Sequence, residues 1–188
     1  MTEKTTRRNP SSSQPASTGL VQVFTGDGKG KTTAALGAVI RALGHGLRAY
    51  IVYFMKGNYR YGEGNILSKL ANVTMASFGS LEFVDPANIN PEEKEQARQA
   101  LAAAREAMLS GSYDLVVLDE VNLAVAWKLV ELDEVTRLIS DKPQNVELIL
   151  TGRQADTRLV QQADLVTEML NIKHPYDKGL TARQGIEY

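Results

Sequence analysis

The sequence predicts an α/β fold, a mainly parallel β-sheet with helices on both faces. Three observations carry the prediction. Segments of strand length alternate with segments of helical periodicity through most of the 188 residues. The run Ala49-Tyr50-Ile51-Val52-Tyr53-Phe54 is apolar without interruption, as in a strand covered on both faces. The stretch Val21 to Thr33 passes from an apolar strand through three alternate glycines into an alanine-rich helix, the strand-turn-helix order of a parallel unit.

The first strand covers about Leu20 to Phe24. In the helix that follows, Ala34, Ala35, Ala38, Val39, Ala42 and Leu43 recur at helical spacing, and Gly44-His45-Gly46 stops it. A second strand spans Arg48 to Phe54. From Met55 to Gly64 a glycine-punctuated loop carries tyrosines and both signs of charge. A short helix (Asn65 to Leu70) and a third strand (Val73 to Phe78) come next. Asn90-Pro91-Glu92-Glu93 supplies an N-cap, a proline at the first helical position and acids in the first turn, so a helix runs from there to about Ser110 and ends at Gly111. Asp114 to Glu120 reads as a buried strand with two carboxylates at its carboxyl end. Helical patterns follow at Asn122 to Lys128 and Asp133 to Ser140, then strand Val146 to Thr151, helix Asp156 to Ala163 and strand Leu165 to Asn171. The stretch Ile172 to Tyr188 is polar, glycine-bearing and irregular.

With 43% hydrophobic residues the chain can build one globular domain, placed at residues 19–188. Met1 to Thr18 is polar, with Arg7, Arg8, consecutive serines and two prolines, and reads as a flexible N-terminal arm. It lacks the apolar middle segment of a secretory signal, and no apolar run reaches the roughly 20 residues that span a bilayer. No membrane partner is expected, and the expected location is cytoplasmic. Lys plus Arg (21) nearly cancels Asp plus Glu (22), so no global positive field argues for wrapping nucleic acid. Without cysteine, and with only His45 and His174 as histidines, the chain offers no disulfide, thiolate metal site, iron–sulfur cluster or cysteine nucleophile.

Ligands of parallel sheets sit beyond the carboxyl ends of the strands. That rule gathers the glycine-rich turn, the loop from Met55 to Gly64, the Asp119-Glu120 pair and Thr151-Gly152-Arg153 at one edge. The turn is a P-loop with one departure: its spacing asks for glycine at position 25, where this chain has Thr25 with Gly26 beside it. Gly26, Gly28 and Gly30, with Asp27 and Lys29 between them, can aim backbone N–H groups at phosphate oxygens, and the following helix points its positive end at the same anion. Lys31 is placed to reach terminal phosphates. The Thr32 hydroxyl, followed by Thr33, is placed to hold Mg²⁺ (or Mn²⁺). Asp119 ends a four-residue apolar strand, the arrangement of an acid held near a phosphate-bridging metal, and Glu120 is a second acid for metal or water. A triphosphate needs several cations, for which Lys29, Lys31, Arg41 and Arg153 are the candidates. Tyr53, Tyr59 and Tyr61 stand where either a flat ligand or ordinary packing would use them. His174 reads as a surface residue.

Taken together, Thr25 to Ala35, Gly44-His45-Gly46, Phe54-Met55-Lys56-Gly57, Val117-Leu118-Asp119-Glu120, Leu150-Thr151-Gly152-Arg153, Lys173-His174-Pro175-Tyr176-Asp177 and Gly185-Ile186-Glu187-Tyr188 resemble the P-loop ATP:corrinoid adenosyltransferases. These are cob(I)alamin adenosyltransferases with a RecA-like P-loop NTPase fold. The resemblance covers Leu20 to Tyr188, and the family's own loop also lacks the first glycine. It implies transfer of the 5′-deoxyadenosyl group of ATP to the Co(I) of a reduced corrinoid such as cob(I)alamin, with release of triphosphate. The Co(I) is then the nucleophile, which suits a chain with no cysteine and no Ser-His pair.

Carried onto this sequence, the resemblance implies triphosphate contacts from the loop Thr25, Gly26, Asp27, Gly28, Lys29, Gly30, Lys31, Thr32 and Thr33, and from Arg41 and Arg153. It implies catalytic roles for Lys31, Thr32 and Glu120, and metal contacts from Thr32, Asp119 and Glu120. It also implies a homodimer, an N-terminal arm covering the corrinoid site, and an electron-donating reductase or flavodoxin-like protein. One segment departs: after the third strand, better-known members carry a Phe and a Trp that act on the lower cobalt ligand, where this chain has Phe78 and Phe83 at shifted positions. The P-loop by itself leaves two alternatives. One is an ATPase or small-molecule kinase, against which stands the lack of a lid rich in arginine; the other is a nucleotide-gated corrinoid carrier.

Overall fold

Apolar side chains on both sides of a strand need a cover on both sides, and the fold supplies it. The computed structural model describes residues 18–57, 61–80 and 84–188. Strands β1 (Val21–Thr25), β2 (Ala49–Tyr53), β3 (Val73–Ser77), β4 (Leu115–Asp119), β5 (Glu147–Thr151) and β6 (Leu165–Glu168) form one sheet in the order β3-β2-β4-β5-β1-β6. Every neighbouring pair is parallel. On one face, Phe24, Ile51, Val117 and Ile149 pack with Ala35 and Val39 of α1 (Lys31–Gly44) and Leu67 of α2 (Gly62–Leu67). On the other, Val52, Val116, Leu118, Leu148 and Leu150 meet α3 (Pro91–Leu109), α4 (Val121–Ala126), α5 (Leu132–Ser140) and α6 (Thr157–Gln162). The period of two along each strand thus divides the core into two layers.

Local chemistry sets the helix ends. Asn90 and Glu93 form a reciprocal capping box at the start of α3, with Pro91 in the first turn. The small side chains Ala97, Ala100 and Ala104 bring α3 close to the sheet, all of them almost fully buried. At the end of α1, Gly46 turns left-handed (φ 79°), and Gly46 N and Leu47 N donate to the carbonyls of Leu43 and Ala42. Those paired bonds satisfy carbonyls that a helix end leaves open.

Element order and type follow the sequence reading, with three differences. The expected helix over 65–70 begins three residues earlier, at Gly62, so it grows directly out of the glycine-rich loop. The last strand ends at Glu168 rather than Asn171, because residues beyond it turn onto the P-loop. Burial on both faces fails for β6, whose residues are all exposed. It is an edge strand, paired with β1 alone. The arm expected over 1–18 lies, except for Thr18, outside the described residues, as do Tyr59 and Phe83. Phe78 packs against the α3 face of the core. Among the described residues, no helix is long and apolar enough to cross a membrane.

Leu118 is fully buried where β4 meets the helical layer. Leu118→Ala is expected to lower the free energy of unfolding by about 2–5 kcal/mol in urea titration, from lost transfer energy plus the cavity left behind.

Candidate functional site

The P-loop leaves β1 at Thr25 and enters α1 at Lys31. Gly26 has φ 91°, and a Cβ there would lie 2.4 Å from the Met169 carbonyl oxygen, so the position admits only glycine. The same carbonyl accepts from Gly28 N at 2.7 Å, while Met169 N donates to the Thr25 carbonyl at 2.8 Å. Thr25 itself does what a glycine there would not: its hydroxyl accepts from Ala155 N at 3.2 Å, tying the P-loop to the loop that bears Arg153. The glycine that turns the chain has moved one residue on, and the vacated position holds a link between loops.

Lys31 is 8% exposed, and its Nζ donates to the carbonyls of Gly26 (2.7 Å) and Gly28 (2.8 Å). Burial pushes its pKa down, opposed by the charges of Glu120 and Asp27. The ammonium therefore sits in the concavity of the loop, on neutral oxygens.

Beside the P-loop, the carboxyl ends of β2, β4 and β5 build an ordered polar row. Tyr53 of β2 pairs in register with Asp119 of β4, and Thr151 ends β5 next to it. Asp119, 1% exposed, accepts from the Thr151 hydroxyl at 2.7 Å and from Lys56 Nζ at 2.5 Å. Thr151 Oγ1 in turn accepts from Glu120 N at 3.0 Å. Burial works against the charge of Lys56, but the Asp119 carboxylate outweighs it and holds the lysine pKa above its ordinary value. Lys56 Nζ also lies 4.7 Å from the centre of the Tyr61 ring. Glu120 adopts a left-handed conformation, φ 66°, as the chain turns from β4 into α4. Burial, and then the neighbouring Asp119 charge, raise its pKa. Asn122, fully buried, donates through Nδ2 to the Gly152 carbonyl at 3.2 Å and to the Phe24 carbonyl at 3.4 Å. It fastens the ends of β1 and β5 behind the site.

These elements open on a cavity of about 780 Å³. Its walls are Asp27 to Thr33, the α1 residues Leu36, Gly37 and Ile40, then Lys56, Tyr61 to Glu63, Glu120, Leu123 and Arg153. The segment from His174 onward closes the far side with His174 and Gly185 to Tyr188. Lys29 Nζ reaches that segment, donating to the Ile186 carbonyl and the Glu187 carboxylate, both at 3.0 Å. Hydrogen bonds from Arg183, with the Lys29 bond in support, hold the Glu187 carboxyl down to about 2. Four cationic side chains, those of Lys29, Lys31, Lys56 and Arg153, thus share one cavity with a single P-loop.

A family model described as ATP:corrinoid adenosyltransferase BtuR/CobO/CobP matches residues 17–188. The corrinoid adenosyltransferase of Escherichia coli K12 is 35% identical over 170 residues, covering 90% of this chain and 86% of that protein. The corrinoid adenosyltransferase CobA of Salmonella typhimurium LT2 is 37% identical over 173 residues, with coverage of 90% and 86%. A corrinoid adenosyltransferase of a Sinorhizobium species is 36% identical over 172 residues, with coverage of 90% and 80%. The chain belongs to the ATP:corrinoid adenosyltransferase family. It is an enzyme, and its reaction moves an adenosyl group from ATP to a corrinoid.

The cavity brings together most of the residues expected from sequence. Asp27, Gly28, Lys29, Gly30, Lys31, Thr32, Thr33, Glu120 and Arg153 all line the cavity. Thr25 and Gly26 support the loop from beneath, and Asp119 lies behind Lys56 rather than at the surface. Arg41 is exposed in the last turn of α1, about 15 Å of helix beyond Lys31, and is not part of the wall. Sequence reading gave no role to Lys56, Asn122, or Ile186 and Glu187. A lysine two residues past a buried strand, in a sheet whose carboxyl edge holds the site, is the signal that marks Lys56. His174 faces the cavity while its Nδ1 accepts from Tyr176 N, capping the short turn Pro175–Lys178.

A carboxyl with a raised folded pKa holds its proton longer in the native state, so stability is lost as pH rises through that pKa. Glu120→Gln removes the loss. In calorimetry the variant is expected to melt above the parent protein at pH 8. The difference should close as pH falls through the folded pKa toward the ordinary value of 4.5.

Proposed function

We propose that ATP lies in the cavity with its triphosphate in the P-loop, so that the bond broken is C5′–O of the ribose and the triphosphate leaves whole. The observation that carries this reading is the convergence of Lys29, Lys31, Lys56 and Arg153 on one P-loop cavity. A leaving group with that much charge is the part of the reaction the protein can stabilise. The electron pair that forms the new bond to C5′ comes from Co(I) of the reduced corrinoid, formally oxidised to Co(III). No protein nucleophile is required, in keeping with a chain free of cysteine.

In this reading Lys31 holds the terminal phosphates, the loop from Gly26 to Thr33 supplies N–H donors, and Arg153 closes from the β5 side. The donor set beside the loop is all oxygen, with Thr32 and Glu120 on the cavity wall and Asp119 next to Glu120, which suits Mg²⁺ or Mn²⁺. No group of three or more His, Cys, Asp or Glu side chains able to hold a metal occurs among the described residues, so phosphate oxygens and water complete such a site. The metal's contribution is charge neutralisation on the triphosphate. A RecA-like P-loop fold is the finer reading of the sheet, supported by the one strand, β5, between the P-loop strand and the acid-bearing strand. A homodimer and reduction by a reductase or flavodoxin-like protein complete the proposal, and their support is family membership.

Under anaerobic reduction, ATP, Mg²⁺ and cob(I)alamin are expected to give a light-sensitive alkylcobalt product and one triphosphate for each product formed. Lys31→Ala should slow product formation roughly a hundredfold or more. Release of ADP or phosphate without corrinoid, and no alkylcobalt product, would instead identify an ATPase or kinase.

A further inference from the structure

Lys56 stands between a buried carboxylate and the cavity. Its Nζ is 2.5 Å from Asp119 Oδ2, its side chain is 13% exposed, and that of Asp119 is 1% exposed. Lys56 lines the cavity and Asp119 does not. The other Asp119 oxygen is taken by the Thr151 hydroxyl. Around the ammonium lie the rings of Tyr61 and Tyr53, at 4.7 and 5.6 Å. Tyr53, 6% exposed, has a buried hydroxyl with no hydrogen-bond partner among the described residues, so it is open to another polar group.

A divalent cation that reaches Asp119 from the cavity meets the Lys56 ammonium first. Two cations on one carboxylate oxygen repel strongly in a partly dry site, so one must give way. A lysine is suited to yield, having a flexible stem and a compact charge that is free to rotate its three donors. Released from Asp119, the ammonium faces a cavity whose carboxylates include Glu63 and Glu120 and whose P-loop wall suits a triphosphate.

We propose that Lys56 is an exchangeable counter-ion and a further triphosphate-binding residue: it neutralises Asp119, cedes that carboxylate to the arriving metal, and turns its ammonium to the triphosphate. The inference rests on the ATP-binding reading above. It separates two tasks assigned to one place, keeping a buried acid paired and delivering positive charge to the leaving group, and gives both to one side chain.

The test uses Mn²⁺ alone and inorganic tripolyphosphate with Mn²⁺, on the full chain and its Lys56→Met, Lys56→Gln and Lys56→Arg variants. By electron paramagnetic resonance, Mn²⁺ alone should bind Lys56→Met and Lys56→Gln about tenfold or more tightly than the parent, and Lys56→Arg no more tightly. Mn²⁺ alone should raise the melting temperature of the two neutral variants and leave that of the parent almost unchanged. Calorimetric affinity for Mn²⁺-tripolyphosphate should fall about tenfold in the neutral variants. If Lys56→Met does not fold, Lys56→Gln, which can still donate to Asp119, carries the comparison. Equal Mn²⁺ affinity in parent and neutral variants, or undiminished tripolyphosphate affinity, overturns the exchange. Adenosyl transfer by the parent is assayed alongside: product with equal Mn²⁺ affinities removes the exchange and leaves the function, whereas no product with the Mn²⁺ differences present removes the function alone.

Discussion

The carboxylate of Asp119 is a buried charge at the carboxyl end of a central strand, and such a group persists only if neighbours satisfy it. Thr151 does so from β5 and Lys56 from the chain just beyond β2. The hydroxyl that serves Asp119 also accepts from Glu120 N, which fixes the left-handed turn presenting Glu120 to the cavity. One ionised group therefore sets the positions of three strand ends and of the second acid. Removing Lys56 would leave that charge unpaired in the core, a fault that typically costs about 3–5 kcal/mol.

The P-loop side is organised differently, by backbone rather than by charge. Its turn is held by main-chain bonds to Met169, just past β6, and by the Thr25 link to Ala155. Asn122 joins the two sides, reaching from inside α4 the Phe24 carbonyl near the end of β1 and the Gly152 carbonyl just past β5. The shape of the P-loop is then a property of four strand ends and not of a single loop. Pre-set donors of this kind can stabilise a departing charge without rearrangement at the moment of reaction.

How much of this could be read from sequence depends on the range of the interactions. Strand-helix alternation, the capping box at Asn90 and the stop at Gly46 are local, and the structure has them within a few residues of the expected places. The exposure of β6 was not legible, because an apolar run such as Leu165-Val166 looks the same at a sheet edge as at its centre. The P-loop and the Asp119-Glu120 pair were legible because their residues are adjacent in the chain. The pairing of Lys56 with Asp119, 63 residues on, was not, since only strand order β2-β4 makes the two neighbours. The same holds for Lys29 and Glu187, 158 residues apart. Thr25 shows a third case: a departure from a motif whose purpose lies in a contact 130 residues away.

Two lysines in the cavity are tied to acids, and burial gives the ties different meanings. Asp119 is nearly inaccessible and Lys56 largely buried, so their pairing is part of what allows the acid to exist there. Lys29 is 47% exposed and Glu187 21%, a setting in which an ion pair contributes little to stability. Its effect is positional: it ties the segment around Ile186 to the P-loop. Arg183, bound to both Glu187 oxygens, holds the same carboxylate from the other side. The two cations thus differ in depth: Lys56 is paired with an acid buried in the core, and Lys29 with a surface acid that Arg183 also holds.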